Sequence, residues 1–273
     1  MSNGLTEATT SKGSARRDWL AIIPRPLHGL IIPLLLLAIW EIAAGLHWIS
    51  PQLLPAPSVI IAQFWNLVQS GEVFEHLAIS TYRAGVGFLL GSVAGLLLGL
   101  FTGLGKLSEK TIDPSIQMLR TIPLLALIPL FILWFGVGEF SKILMISLGS
   151  FFPLYVNTFL GIRNVELRLY EVSRILQYSR LQLLTKLIIP AALPNILLGV
   201  RLSLGTAWLV LVVAEMMGTS AGIGYMIQDA RAYSQTDKVF VGITIFAVIG
   251  KLSDSATRLL EKRWLRWRDT FKG

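Results

Sequence analysis

The chain has 273 residues, of which 53% are hydrophobic and only 15% charged, and its mean hydropathy is +0.65; soluble domains carry roughly 25% charged residues, so an ordinary soluble domain is excluded. The absence of cysteine excludes disulfides, thiolate metal sites and thiol catalysis. The net charge of +8 sits in the segments between apolar runs, where Lys and Arg mark the cytoplasmic side of a membrane rather than a nucleic-acid surface.

Several apolar runs reach the ~20 residues that cross a ~30 Å hydrocarbon core as helix, and the ~10-residue alternation of a membrane β-barrel is missing. An all-α, polytopic membrane protein with about six transmembrane helices is expected. Residues 1–26 read as a cytoplasmic N-terminal tail, Ser/Thr/Gly-rich at first and partly disordered. Arg16, Arg17 and Arg25 before an apolar run resemble a signal peptide, but the run is long, contains Glu41 and lacks an A-x-A site, so it is read as a retained first span. The transmembrane domain is placed at 27–257, with spans at about 27–46, 79–104, 116–135, 141–160, 191–216 and 239–257. A basic cytoplasmic tail covers 258–273.

After the first span come Pro51, Pro55 and Pro57, then Ser58 as the expected cap of a short amphipathic helix carrying Ile60, Ile61, Phe64, Leu67 and Val68. The second span carries Gly87, Gly91, Gly95, Gly99 and Gly103, a period of four that lets helices approach closely in lipid. A sliding surface would have the same pattern. The third span contains Pro123 and Pro129, each lacking a backbone donor and expected to kink it. With Trp134 and Phe135 near its outer end, it is a candidate wall of a pathway or simply a bent packing helix.

Charges test the orientation. With the N-terminus inside, the inner segments hold seventeen Lys and Arg and the outer segments three, while Arg83, Arg120, Arg201 and Lys251 fall within or beside spans. That asymmetry places both termini and the loop 162–189 in the cytoplasm. The loop shows helical periodicity at Val165, Leu169, Val172 and Ile175/Leu176. Ser179 and Gln182 fit a capping box opening a second helix, with the run closing at Pro190. Such a pair of amphipathic helices suits either a partner's groove or the membrane interface.

Ionisable residues inside spans usually face the protein interior. Arg120 lies about one turn in from the cytoplasmic side, where snorkelling to lipid phosphate competes. Arg201 lies deeper and could attract an anion or pair with Glu215, Asp254 or a carbonyl. Arg83 and Glu215 are expected near the outer surface, and Lys251 and Asp254 as an i, i+3 pair. His28, His47 and His76 lack metal-ligand spacing, and no G-x-x-x-x-G-K-[ST] occurs, so the chain is not itself an ATPase.

Glu171-Val172-Ser173, with Pro190 nineteen residues after the glutamate, resembles the EAA loop of permeases of ATP-binding-cassette (ABC) importers. Val172 and Ser173 stand where that motif has alanines, and Gln177 where it has a glycine able to take positive φ. The resemblance extends from about residue 50 onward. Gln117-Met-Leu-Arg120-Thr-Ile-Pro123, Leu133-Trp134-Phe135-Gly136, Gly199-Val-Arg201-Leu, Ala214-Glu215, Gly222-Ile-Gly224-Tyr225 and Trp264-Leu-Arg-Trp267 are similar to the aliphatic-sulfonate/taurine/nitrate branch, and to aliphatic-sulfonate permeases in particular.

The resemblance implies a type I ABC importer permease fold in the bacterial inner membrane. It implies two ATPase subunits that bind ATP-Mg, a second permease copy in a homodimer, and a periplasmic or lipid-anchored substrate-binding protein. This chain would hold no cofactor and no catalytic residue. Glu171, Val172, Ser173, Arg174 and Gln177 would form the ATPase-coupling contact. Arg120, Pro123, Trp134, Arg201 and Glu215 are carried forward as pathway candidates for an aliphatic sulfonate, or for taurine, nitrate or bicarbonate. A self-sufficient secondary transporter is the alternative reading, although no inverted repeat or buried acidic chain is evident.

Overall fold

The computed structural model describes residues 28–265, so the expected tail 1–26 and the part of the expected tail 258–273 that follows Leu265 lie outside the described residues. Contacts divide the chain at Pro57. Before that point lies α1 (His28–Gly45), with Ile32, Leu34, Leu35, Leu36 and Ile39 all exposed. Successive exposed aliphatic residues around a helix are what lipid, not water, accommodates.

From Ser58 onward the chain is all helix and turn among the described residues. The elements are α2 (Pro57–Gln69), α3 (Glu72–Leu104), α4 (Lys106–Thr111), α5 (Asp113–Arg120), a 3₁₀ turn (Leu124–Leu127), α6 (Ile128–Phe135) and α7 (Glu139–Arg163). Then follow α8 (Leu167–Ile175), α9 (Arg180–Leu183), a π turn (Leu184–Ile188), α10 (Ile189–Met216), α11 (Ile223–Ala232) and α12 (Thr236–Trp264). Four helical stretches are long and apolar enough to cross a membrane, or five if the bent pair α5 and α6 counts as one span. The protein is a multi-pass membrane protein.

The core is α7 between α3 and α10. Gly87, Gly91, Gly95, Gly99 and Gly103 of α3 lie in turn against Ile146, Ser147, Phe151, Tyr155/Thr158 and Ile162 of α7. At Gly91 even a Cβ would run into the Ser147 carbonyl, so the stripe serves tight packing. On the other side Gly149 meets Val210, and Gly199 meets Leu154 and Asn157. The Ser203 hydroxyl donates to the Ser150 carbonyl at 2.6 Å. Ile128, Phe131, Met145, Ile146, Ala207 and Leu211 are buried where the three helices meet α6.

Three expectations are corrected. The third span is broken, not kinked: α5 and the 124–135 segment meet at 84°. Pro123 is extended (φ −61°, ψ 115°) and disfavours helix at the residue before it. Pro129 instead lies in the first turn of α6, where its missing N–H is harmless. Pro190 does not close a helix either. The π turn just before it re-registers the backbone, so Pro190 enters the first turn of α10 and the helix runs on. Finally, α2 begins at Pro57, so Ser58 lies within its first turn rather than capping it.

Candidate coupling hairpin and transport cleft

The 167–183 segment is a helical hairpin whose corner N–H groups, from Leu176 to Ser179, are all hydrogen-bonded. At the end of α8, Tyr178 N–H donates to Ser173 O (3.1 Å) and Gln177 N–H to Arg174 O (3.1 Å). These two bonds make a Schellman motif, with Gln177 at its left-handed position. Its φ is +49°, so a non-glycine residue holds the conformation that glycine would take without steric penalty. Two residues later Ser179 opens α9: its Oγ accepts from Gln182 N–H, and Gln182 Oε1 accepts from Ser179 N–H (3.0 Å). The capping box read from the sequence is present. Lys186 Nζ lies 5.7 Å from the centre of the Tyr178 ring, a cation–π contact that closes the hairpin on itself.

What the hairpin exposes is a mixture of apolar, charged and polar side chains. Leu167 and Ile175 are 79% and 81% exposed. Glu171, Val172, Arg174 and Gln177 are exposed as well. Neither Glu171 nor Arg174 makes a side-chain hydrogen bond or ion pair among the described residues. Ser173 differs from the rest of the set, being buried with its hydroxyl donating to Tyr170 O at 2.7 Å. It shapes the hairpin from within. Beneath lies a cavity of about 1170 Å³ between the hairpin and the ends of α3 and α7. Beside it Arg163 of α7 pairs with Glu109 of α4, Nε to Oε1 at 2.9 Å.

A second cleft, about 770 Å³, runs between the break after α5, α7 and α10. Arg120, Thr121 and Pro123 line it from the break, Phe152, Pro153 and Asn157 from α7, and Leu202, Thr206, Leu209 and Val213 from α10. Arg120 is its only charged residue among the described residues. Trp134 is exposed on α6 beside Phe135 and Gly91, against a different depression, so the structure does not bring it to Arg120.

Two other pathway candidates are placed elsewhere. Arg201 Nε bonds Asp254 Oδ1 at 2.6 Å, and Asp254 also takes Arg258 at 2.9 Å. With Trp208 Nε1 donating to Ser253 Oγ at 3.1 Å, these contacts tie α10 to α12. Asp254 therefore pairs with Arg201 and Arg258, not with Lys251 as expected.

Glu215 is 1% exposed and lines neither cleft. It accepts from Arg83 Nη1 (2.8 Å), Ser80 Oγ (2.8 and 2.9 Å) and Gly224 N–H (3.0 Å). Arg83, 3% exposed, also donates to Glu139 through Nε and Nη2 (both 2.6 Å) and to Ala221 O (2.7 Å). His76 Nδ1 accepts from Gly222 N–H at 3.1 Å, and Ser80 Oγ accepts from Ile223 N–H at 2.8 Å. The segment leading into α11 is thus held by side chains of α3. Arg83 and Glu215 are buried within the protein, and a carboxylate and a guanidinium buried together need this many partners. The signal in the sequence was Arg83 and Glu215 themselves, but their separation of 132 residues hid the pairing.

These arrangements have counterparts among known proteins. A family model described as "Binding-protein-dependent transport system inner membrane component" matches residues 91–266. A chain of Bacillus subtilis (strain 168) bearing the name aliphatic sulfonates transport permease protein SsuC is 55% identical over 98% of this chain and 95% of its own. The Escherichia coli (strain K12) taurine transport system permease protein TauC is 35% identical over 85% of this chain and 86% of its own. In fold, the chain is similar to a solved chain of the MetNI methionine ABC transporter, with a TM-score of 0.56 at 21% identity, covering 73% of this chain and 96% of that one.

Proposed function

The chain belongs to the binding-protein-dependent transport system inner membrane components, with the fold of a type I ABC importer permease, and from that premise we propose that it forms the pathway for a small anion, an aliphatic sulfonate first. The names of the relatives support that order: aliphatic sulfonates at 55% identity and taurine at 35%. Nitrate and bicarbonate follow by chemistry, since each is a compact anion that a guanidinium can hold. The secondary-transporter alternative gains no support, because the matched family depends on a binding protein.

As a non-enzymatic subunit, the permease takes its energy from ATPase subunits and its solute from a binding protein. In the arrangement we infer, two ATPases bind ATP-Mg and two identical permease copies face each other. The termini and the 162–189 loop lie on the cytoplasmic side, as the seventeen-to-three distribution of Lys and Arg supports.

The observation that carries the reading is the hairpin. The N–H groups at its corner are bonded internally while Ile175, Val172, Glu171 and Arg174 are exposed, which is the character of a rigid knob for a partner's groove. The test is a pull-down of the detergent-solubilised chain from its native membrane. Wild type should recover a Walker-motif ATPase, and Glu171→Ala and Arg174→Glu should lose it. A preparation that holds no ATPase and still transports when reconstituted alone would overturn the reading.

A further inference from the structure

We propose that Arg120 is the anion-binding residue of the permease, holding the sulfonate head while the apolar walls of the α5–α7–α10 cleft carry the alkyl chain. This rests on the pathway reading above and names how that pathway selects its solute.

The argument begins with donors. Of the polar side chains lining the cleft, Thr121 donates to Met118 O at 2.7 Å, Asn157 to Pro153 O at 2.7 Å and Thr206 to Leu202 O at 2.8 Å. Each threonine returns its one hydroxyl hydrogen to a backbone carbonyl, and Asn157 keeps one of its two amide hydrogens uncommitted. Arg120 differs: its guanidinium makes no hydrogen bond or ion pair among the described residues. Arg83, Arg163 and Arg201 each meet a carboxylate. Arg120 is exposed at the end of α5 and, alone of these four, meets no carboxylate among the described residues.

Position makes the residue useful. Arg120 ends α5 at the 84° break, so its side chain stands where the backbone opens rather than along a packed helix face. Its fork of five N–H donors matches the oxygens of a sulfonate as it does those of a phosphate. The rest of the wall is Phe152, Leu202, Leu209, Val210 and Val213. From Leu202 to Val213 the wall extends roughly 16 Å along α10, long enough for an alkyl chain. One cation and a long apolar wall fit an amphiphilic anion better than nitrate or bicarbonate, which have no apolar part to bury.

The shared chemistry, an oxyanion on a guanidinium, could also come from a lipid phosphate, and the test separates the two. The whole transporter, with its ATPase and binding protein, is reconstituted in vesicles of phosphatidylcholine alone and of phosphatidylcholine with phosphatidylglycerol. Uptake of methanesulfonate to octanesulfonate is followed at sub-saturating concentration. Arg120→Gln should lower uptake about tenfold to a hundredfold in both lipids, the loss expected for a hydrogen bond to a charged group. Arg120→Lys should recover most of it, and both variants should still co-purify with the ATPase, which shows that they fold and assemble. Val213→Trp should reduce octanesulfonate uptake more than methanesulfonate uptake. Wild-type uptake by Arg120→Gln, or a deficit in only one lipid, assigns the residue to headgroups and overturns the inference while the sulfonate reading stands. A wild-type complex that carries no sulfonate overturns both.

Discussion

The Arg83–Glu215 cluster and the 167–183 hairpin use the same residue types to opposite ends. In the cluster, Arg83 makes four hydrogen bonds and Glu215 is reached by a guanidinium, a hydroxyl and a backbone amide. In the hairpin, Glu171 and Arg174 are exposed and make no such bonds. Charge that is buried and fully partnered holds a structure together; charge that is exposed and uncommitted on a rigid element is available to something else. The difference teaches that a residue's type says little about its task until its partners are known, and five substitutions, one of them a control, can break or sharpen the contrast.

The largest effect should come from Glu215→Ala. It removes one of the two carboxylates that Arg83 meets and leaves Ser80 and the Gly224 N–H without their acceptor, at about 1–3 kcal/mol for each buried group left unpaired. A large drop in the thermal midpoint of the solubilised protein is expected; an unchanged midpoint would mean that the cluster is not structural. Next comes Gly91→Ala, which drives a methyl into the Ser147 carbonyl and should cost about 1–3 kcal/mol by overpacking. Gly85→Ala, on the same helix with nothing within 4 Å of the new Cβ, is its control and should be neutral in the same melt.

Gln177→Gly works in the other direction. It removes the left-handed penalty at the hairpin corner, worth about 1 kcal/mol, and should slow hydrogen exchange at the Tyr178 amide that bonds Ser173 O. Faster exchange there would show that the corner is not strained by its glutamine. The smallest effect on stability belongs to Glu171→Ala, expected within about 0.5 kcal/mol as for other surface changes. Its signature is functional instead: the ATPase should be lost from the pull-down while the melt stays in place. Stability lost along with the ATPase would dissolve the contrast between the two regions.

Arg201 and Arg120 show how legible the site was. Both stood out in the sequence as arginines within spans, and nothing local told them apart. Arg201 finds Asp254, 53 residues away, because α10 and α12 pack side by side. Arg120 finds no carboxylate because Pro123 turns the chain through the break and leaves it over a cleft. Trp134 shares with them only a place in an expected span: it sits on the far arm of the bent pair and lines another depression.

By itself the sequence determined what depends on composition and on short range. Low charge and long apolar runs specify helices in a bilayer, because a chain in lipid must satisfy its backbone internally. Ser179 and Gln182 specify a helix start three residues long, and the glycines at every fourth place specify one smooth helix face. Only the tertiary structure decided which carboxylate each arginine meets, that the third span breaks instead of bending, and that the helix passes through Pro190. Those outcomes depend on side chains far apart in the chain, and on whether neighbouring helices leave room for a carbonyl to move. The spacing of residues along one helix carries no information about either.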